Sequence, residues 1–265
     1  MLIEVEPLKE IIELSIQANF LKPFIPINLL LIAKPETAKT TILSLTSKKD
    51  FVYYTNEITA KMLIEQVLPL AQRKEIKCLV IPDLLNCIEK QKATRQQFLN
   101  FIKSAIEEGI TQIQTYHKRF ISEEPVKFSL LTAITTVDFR KVRNYLENIG
   151  LLSRFIPFSY DYPISKVKKI LDFIESESQN SNKIELKIKK QIKTIAGDKG
   201  LFKELELIST KLANQYSGFG FRTQIRLQQL AKANAYLNDR DKVTREDIEK
   251  IFKLSNWINF DFNPL

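Results

Sequence analysis

The first 160 residues alternate between short, continuously apolar runs and longer segments with apolar residues at helical spacing. The apolar runs cover residues 28–32, 51–54, 78–81, 127–134 and 156–158. Continuous apolar runs of this length are typical of parallel strands that are buried on both faces. The pattern therefore predicts a parallel sheet in which residues 156–158 form the last strand.

Helical spacing is clearest where apolar residues recur every three or four positions. It predicts helices over residues 7–20, 38–47, 56–68 and 92–108, each lying before, between or after the apolar runs. Strands that alternate with helices indicate an α/β fold with helices on both faces of a parallel sheet. This is the fold class that we expect for the first part of the chain.

The pattern changes after residue 163. Residues 175–182 are almost entirely polar and are expected to form a surface loop or linker, and the chain beyond about Asp198 has only helical spacing. Thr244 to Asp247 resemble a helix-capping box, with Asp at the position where Glu is usual. We therefore expect an α/β domain over residues 1–163 and a small all-α domain over residues 164–265.

Composition excludes several classes of protein. Hydrophobic residues make up 44% of the chain, which is ample for a core. The chain has two cysteines, Cys78 and Cys87, which suits a reducing compartment without a disulfide framework, and one histidine, His117. A histidine-based metal site or catalytic triad within one chain is therefore not expected.

The amino-terminal sequence is acidic and interrupted by charges, so it is not expected to be a secretory signal. Uninterrupted apolar segments are too short for a membrane span, and we expect a cytoplasmic protein without membrane contact. The net charge of +9 is compatible with nucleic-acid binding. It also fits a generally lysine-rich composition, because the positive charges are dispersed.

The segment that follows the first apolar run carries the clearest candidate chemistry. The sequence AKPETAKT (residues 33–40) matches a phosphate-binding loop in which alanine replaces both glycines, at Ala33 and Ala38. Backbone N–H groups where such a loop enters a helix attract phosphate oxygens, a lysine such as Lys39 reaches the terminal phosphates, and a hydroxyl such as that of Thr40 binds Mg²⁺. A Cβ atom at Ala38 could obstruct the approach of the backbone to phosphate.

Four more segments follow in a fixed order: LVIPD at 79–83, LLTAITT at 130–136, LLSRF at 151–155 and GFGFR at 218–222. With the loop, they make the chain resemble the AAA+ ATPases, in particular the clade of the MoxR-type ATPases and the minichromosome maintenance helicases. The resemblance extends over nearly the whole chain. It implies a phosphate-loop α/β core followed by a small helical lid.

The resemblance also implies roles for single residues. Asp83 would be the Walker B acid that orients Mg²⁺ together with Thr40, and Thr135, with Thr136 as the alternative, would sense the γ-phosphate. Arg154 would be an arginine finger that reaches the active site of a neighbouring subunit. The nucleotide-binding set would comprise Ala38, Lys39, Thr40, Thr41 and, from the lid, Arg222.

Two departures from the family pattern, the alanines of the loop and the residue after Asp83, leave the activity open. Leu84 stands where a glutamate usually polarises the attacking water, and the nearest downstream carboxylate is that of Glu89. The leading hypothesis is a protein that binds ATP with Mg²⁺, hydrolyses it slowly, and assembles into a homo-oligomeric ring or filament that remodels a protein or nucleic-acid client. The alternative is a non-hydrolysing scaffold that binds DNA or a protein.

Two further expectations complete the sequence interpretation. No inserted hairpin rich in Lys and Arg is evident, so translocation along DNA as a helicase or loader is not favoured. A phosphate loop closed by a contact of Lys39 with Glu36 or Asp83 would favour the scaffold.

Overall fold

The computed structural model describes residues 5–114, 119–175, 184–216 and 218–265. Along these residues the strands are β1 (Leu21–Lys22), β2 (Leu29–Ala33), β3 (Val52–Tyr54), β4 (Cys78–Ile81), β5 (Ile110–Gln114), β6 (Arg119–Val126), β7 (Ser129–Thr135), β8 (Ile156–Asp161), β9 (Lys193–Thr194) and β10 (Asn263–Pro264).

The helices of the same residues are α1 (Glu6–Gln17), α2 (Lys39–Ser44), α3 (Ala60–Met62), α4 (Leu68–Gln72), α5 (Leu85–Ile88), α6 (Lys92–Ala105), α7 (Thr136–Asn148), α8 (Ile164–Glu175), α9 (Lys199–Glu204), α10 (Glu206–Ala213), α11 (Phe221–Leu237) and α12 (Arg245–Leu254). A π-helical turn, Leu63–Val67, joins α3 to α4, and single 3-10 turns occupy Ala18–Phe20 and Leu152–Arg154.

The core of the molecule is a parallel sheet of six strands in the order β10-β8-β2-β7-β4-β3. Strand β2 lies inside the sheet between β7 and β8, and all five of its residues are buried. Its central residue, Leu31, pairs with Ala133 of β7 and with Phe158 of β8. Full burial explains why β2 is uninterruptedly apolar in the sequence, because both of its faces pack inside the molecule.

The topology brings separate parts of the chain to one edge of the sheet. Because parallel strands point the same way, the carboxyl ends of β2, β4 and β7 meet there. The phosphate-loop candidate follows β2, Asp83 follows β4, and Thr135 is the last residue of β7. Ligand sites of open α/β sheets form at this edge.

The helical region, defined as α9 to α12, packs against the rest of the molecule through α11. This helix contacts α1, α10 and α12, and its residues Leu227, Leu230 and Ala231 are fully buried. Thr244 and Asp247 form the capping box of α12 as predicted, with both reciprocal hydrogen bonds present. The prediction of an α/β fold with a parallel sheet and a carboxyl-terminal helical region is confirmed.

Two local predictions were wrong. Residues 156–158 belong to β8, which is not the last strand, because β10 follows it and pairs with it in parallel. The chain beyond Asp198 is therefore not wholly helical. The predicted polar loop over residues 175–182 lies, apart from Glu175 at the end of α8, outside the described residues.

An antiparallel hairpin was not predicted. Strands β5 and β6 pair with each other, with Ile110 opposite Val126 and Gln114 opposite Arg119. The hairpin is inserted between α6 and β7, outside the main sheet. The charged residues among its described positions are Arg119, Glu123 and Glu124, so this part of the hairpin is not rich in Lys and Arg.

Candidate functional site

Most of the predicted site residues line one cleft at the carboxyl edge of the sheet. The cleft has a volume of about 210 Å³, and the phosphate loop, Asp83 and the end of β7 form its walls. The residues in its lining that were predicted from the sequence are Ala38, Lys39, Thr40, Thr41, Asp83 and Thr135. This volume is smaller than the roughly 300–1,000 Å³ of sites that enclose drug-sized ligands, and it suits a phosphate group better than a whole nucleotide.

The ammonium group of Lys39 is turned back onto its own loop. Its Nζ donates hydrogen bonds to the carbonyl oxygens of Ala33, at 2.9 Å, and Lys34, at 2.5 Å, and to Oγ1 of Thr37 at 3.2 Å. Burial lowers the pKa of Lys39 to about 8, although the nearby carboxylate of Asp83 opposes this shift. Neither Glu36 nor Asp83 forms a hydrogen bond with this ammonium group, so the contact that would favour a scaffold is not formed.

The backbone at Ala38 has the conformation that normally requires glycine. Its φ angle is 65° and its ψ angle is 10°, in the left-handed region, and Glu36 also has a positive φ of 63°. The loop therefore makes a left-handed turn at Ala38 although a Cβ atom is present. A non-glycine residue in this region costs about 1–2 kcal/mol.

Asp83 faces the cleft and also caps the short helix that follows it. One carboxylate oxygen accepts the N–H of Leu85 at 3.0 Å, which leaves the second oxygen for another ligand. The side chain of Leu84 is buried, and its N–H donates to the carbonyl of Ala133 at 2.8 Å. Position 84 therefore packs the core and supplies no carboxylate to the cleft.

Thr135 combines a place in the cleft with a capping role. Its hydroxyl accepts the N–H of Asp138 at 3.1 Å and donates to the carboxylate of Asp138 at 2.6 Å. These contacts fix the hydroxyl at the amino end of α7. Thr136, the alternative candidate, is buried at the first position of that helix.

The helical region matches a known protein family. Residues 209–255, from α10 through α12, match the family model for the AAA lid domain. The match supports membership of the AAA+ family. A parallel six-stranded sheet followed by this helical region is consistent with an AAA+ core and lid. A comparison with curated proteins found no match.

The two predicted arginines lie together, outside the cleft. Arg154 precedes β8, and its carbonyl accepts the side-chain amide of Asn28, which directly precedes β2. Arg154 is therefore at the amino edge of the sheet, whereas the cleft is at the carboxyl edge. The two are separated by the length of β2, five residues or roughly 16 Å.

Both arginines bind the same carboxylate. Nε of Arg154 lies 2.8 Å from Glu107, and Arg222 forms an ion pair with that glutamate from the helical region. Arg226, which is buried, lies 3.7 Å from the same carboxylate and donates to the carbonyl of Ser153 at 2.8 Å. We call Arg154, Arg222, Arg226 and Glu107 the arginine cluster. The arginine cluster joins the helical region to the core.

Three side chains that bind the loop from the end of β8 were not predicted from the sequence. Tyr160 and Tyr162, at the end of β8, both donate to the carbonyl of Thr37. Asp161, between them, pairs with Lys34 at 2.6 Å. The sequence contains a weak indication of these contacts, because the Tyr-Asp-Tyr segment at the end of an apolar run places three polar groups at the edge where ligands bind.

The described residues offer no cluster of three or more His, Cys, Asp or Glu side chains that could hold a metal ion. A site for Mg²⁺ would combine the Thr40 hydroxyl, the free oxygen of Asp83, water and phosphate oxygens, which is the usual way this ion binds beside a nucleotide. The described helices include none that is long and apolar enough to cross a membrane.

Proposed function

We propose that the chain is an AAA+ nucleotide-binding protein of the MoxR and minichromosome maintenance clade that binds the phosphates of ATP, with Mg²⁺, in the cleft. The observation that carries the proposal is the convergence of Lys39, Thr40, Asp83 and Thr135 on one cleft from three separate strands. Lys39 would exchange its bonds to loop carbonyls for bonds to the β- and γ-phosphates. Thr40 and Asp83 would orient the ion, which when bound neutralises phosphate charge.

The proposal places catalysis between two copies of the chain. Arg154 and Arg222 are too far along the sheet to reach the cleft of their own copy, and both pair with Glu107 at the opposite edge. A head-to-tail homo-oligomer would bring this edge of one copy to the cleft of the next. Arg154 would then stabilise the charge that develops at the γ-phosphate, with Arg222 beside it rather than in the cleft of its own copy.

Hydrolysis is proposed to be slow. Leu84 is buried where the family pattern has the glutamate that polarises water, and Glu89, at the end of α5, is not in the lining of the cleft. The output would be the remodelling of a protein or nucleic-acid client through movement of the lid, which would span residues 164–265 beside a core of residues 1–163. We propose that the protein acts in the cytoplasm.

Isothermal titration with Mg·ATP tests the binding site. Wild-type protein should bind, and Lys39→Met should weaken binding at least tenfold because the positive charge in the cleft is lost. Lys34→Met is the matched control, since Lys34 is in the same loop but its exposed ammonium pairs with Asp161. Absence of binding by the wild type at millimolar nucleotide would refute the proposal.

The second candidate is a scaffold that binds DNA or a protein without turnover. It is favoured by the strained, glycine-free loop and by the buried Leu84. Its signature would be DNA binding that weakens steeply with salt and is unchanged by Lys39→Met. DNA or client binding that requires ATP would contradict it.

A further inference from the structure

Two tyrosine hydroxyls converge on a single backbone carbonyl of the phosphate loop. Oη of Tyr160 lies 2.8 Å from the carbonyl oxygen of Thr37, and Oη of Tyr162 lies 3.0 Å from the same atom. Tyr160 is fully buried, Thr37 is buried, and Tyr162 is half-buried. Both lone pairs of this carbonyl therefore accept a hydrogen bond from β8 and the residue that follows it.

The convergence follows from the strand geometry. Tyr160 lies in β8 and Tyr162 directly follows this strand, and their rings are neighbours on one side of it, with centroids 6.1 Å apart. The register pairs Ile32 of β2 with Ser159 of β8, which brings Tyr160 level with the end of β2, where the loop begins. From the other side, β10 pairs its Asn263 with Tyr160 and so holds the end of β8 in place.

The position of this carbonyl fixes the orientation of its own peptide group. The peptide between Thr37 and Ala38 is planar and trans, so its N–H points opposite to its C=O. With the carbonyl directed at the tyrosines, the N–H of Ala38 is directed away from them, in a loop whose residues Thr37 and Ala38 line the cleft. The same peptide leads into the left-handed conformation of Ala38.

We propose that Tyr160 and Tyr162 are positioning residues that hold the glycine-free loop in the turn required for phosphate binding. Glycine would adopt this turn without strain, whereas Ala38 needs an external restraint. Burial raises the pKa of both phenols, that of Tyr162 to about 12, so both remain protonated donors at neutral pH. The restraint on the loop is independent of the proposed function. Only its effect on phosphate binding rests on that function.

The first test needs no nucleotide. Hydrogen–deuterium exchange of residues 34–40 is compared in the wild type, Tyr160→Phe, Tyr162→Phe and the double variant. Loss of these hydrogen bonds should speed exchange of the loop by about tenfold in the double variant. Tyr236→Phe is the matched control, since Tyr236 donates to the carbonyl of Gln191 at 2.6 Å, outside the loop. Unchanged loop exchange in the double variant would overturn the proposal.

The second test separates positioning from general stability. The double variant should bind Mg·ATP about tenfold more weakly than the wild type, and Ala38→Gly added to it should restore binding, because glycine no longer needs the restraint. A merely structural role predicts no rescue, and its absence would overturn the proposal. If the wild type binds no nucleotide but loop exchange responds to the tyrosines, the proposed function fails while the restraint on the loop stands.

Discussion

Ala33 and Ala38 occupy the two positions where a phosphate-binding loop would have glycine, yet their environments differ completely. Ala33 ends a buried strand and is fully buried, whereas Ala38 is partly exposed and has a left-handed backbone. The alanine at position 33 therefore fits its conformation. The alanine at position 38 does not, and with Glu36 it is one of two non-glycine residues of the loop that have a positive φ angle.

Substituting Ala38 by glycine should stabilise the protein. Removing the Cβ atom from a left-handed residue gains about 1 kcal/mol in the free energy of unfolding, beyond the entropy that glycine costs. Urea denaturation measures the change. Ala33→Gly is the control within the same motif, and it should lower stability because it places glycine in a buried strand. A loss of stability in Ala38→Gly would show that position 38 is not strained.

Lys39 should make stability depend on pH in a narrow range. Its pKa is about 8 in the folded protein and 10.5 when unperturbed, so between these values the unfolded chain binds more protons. Stability due to this residue therefore rises as pH increases from 8 towards 10.5, by at most about 1.4 kcal/mol per pH unit.

Comparison with Lys39→Met isolates this effect, because the other titrating groups are shared. The unfolding free energy of the wild type minus that of the variant should increase between pH 8 and pH 10, as measured by urea denaturation at several pH values. A difference that stays constant over this range would show that the Lys39 ammonium is not destabilised by burial.

The residues that face the cleft were predictable because each lies close after an apolar run. Thr135 ends β7, Asp83 follows β4, and Lys39 and Thr40 begin α2, after the loop that follows β2. Tyr160 and Tyr162 were not predicted, because an aromatic residue in a strand normally indicates core packing. Only the register between β2 and β8 shows that their hydroxyls reach the loop.

At the scale of elements, the start of α12 is held by several polar contacts to one buried carboxylate. The carboxylate of Asp247 is fully buried and accepts hydrogen bonds from the N–H of Thr244, at 2.8 Å, and from the amide of Asn234, at 2.7 Å. Arg240 pairs with it at 2.5 Å. One aspartate thus joins the start of α12 to the end of α11.

Asp247→Asn should destabilise the helical region by about 2–3 kcal/mol, because the amide cannot accept all of these bonds and Arg240 loses a charged partner. Chemical unfolding measures the loss. Glu246→Gln is the neighbouring control, since Glu246 is exposed although it also pairs with Arg240, and it should change stability by less than about 0.5 kcal/mol. Equal effects in the two variants would contradict a special role for the buried carboxylate.

Elements differed in how well the sequence predicted them. Buried strands such as β4 were found with correct limits, because burial on both faces makes them continuously apolar. The apolar residues of the β5–β6 hairpin are irregularly spaced and are interrupted by the polar run from Ser122 to Glu124, so its strands lack a periodic pattern. The pairing of β10 with β8 depends on a contact about 100 residues apart, which local sequence does not encode.

At the scale of the whole molecule, the cleft and the two predicted arginines lie at opposite edges of the sheet, which would give the proposed assembly a direction. One edge carries the cleft, and the other carries Arg154 and Arg222. If hydrolysis requires both edges, a copy with a defective cleft and a copy without the arginine should complement each other.

Mixing Lys39→Met protein with Arg154→Ala protein should therefore restore part of the ATPase activity that each lacks alone. In the mixture, Arg154 of one variant meets the intact cleft of the other, as phosphate release would show. Mixing Lys39→Met with Asp83→Asn is the control and should restore nothing, because both changes inactivate the cleft. Failure of the first mixture, with both proteins folded, would contradict a site shared between copies.

Strand β8 is held on both sides by parts of the chain that are far apart in the sequence. On one side it pairs with β2, and on the other with β10, which follows the helical region. Tyr160, which donates to the carbonyl of Thr37, is the residue of β8 that pairs with Asn263 of β10. The carboxyl-terminal strand and the loop at residues 33–40 are therefore neighbours of the same tyrosine, although more than 200 residues separate them in the sequence.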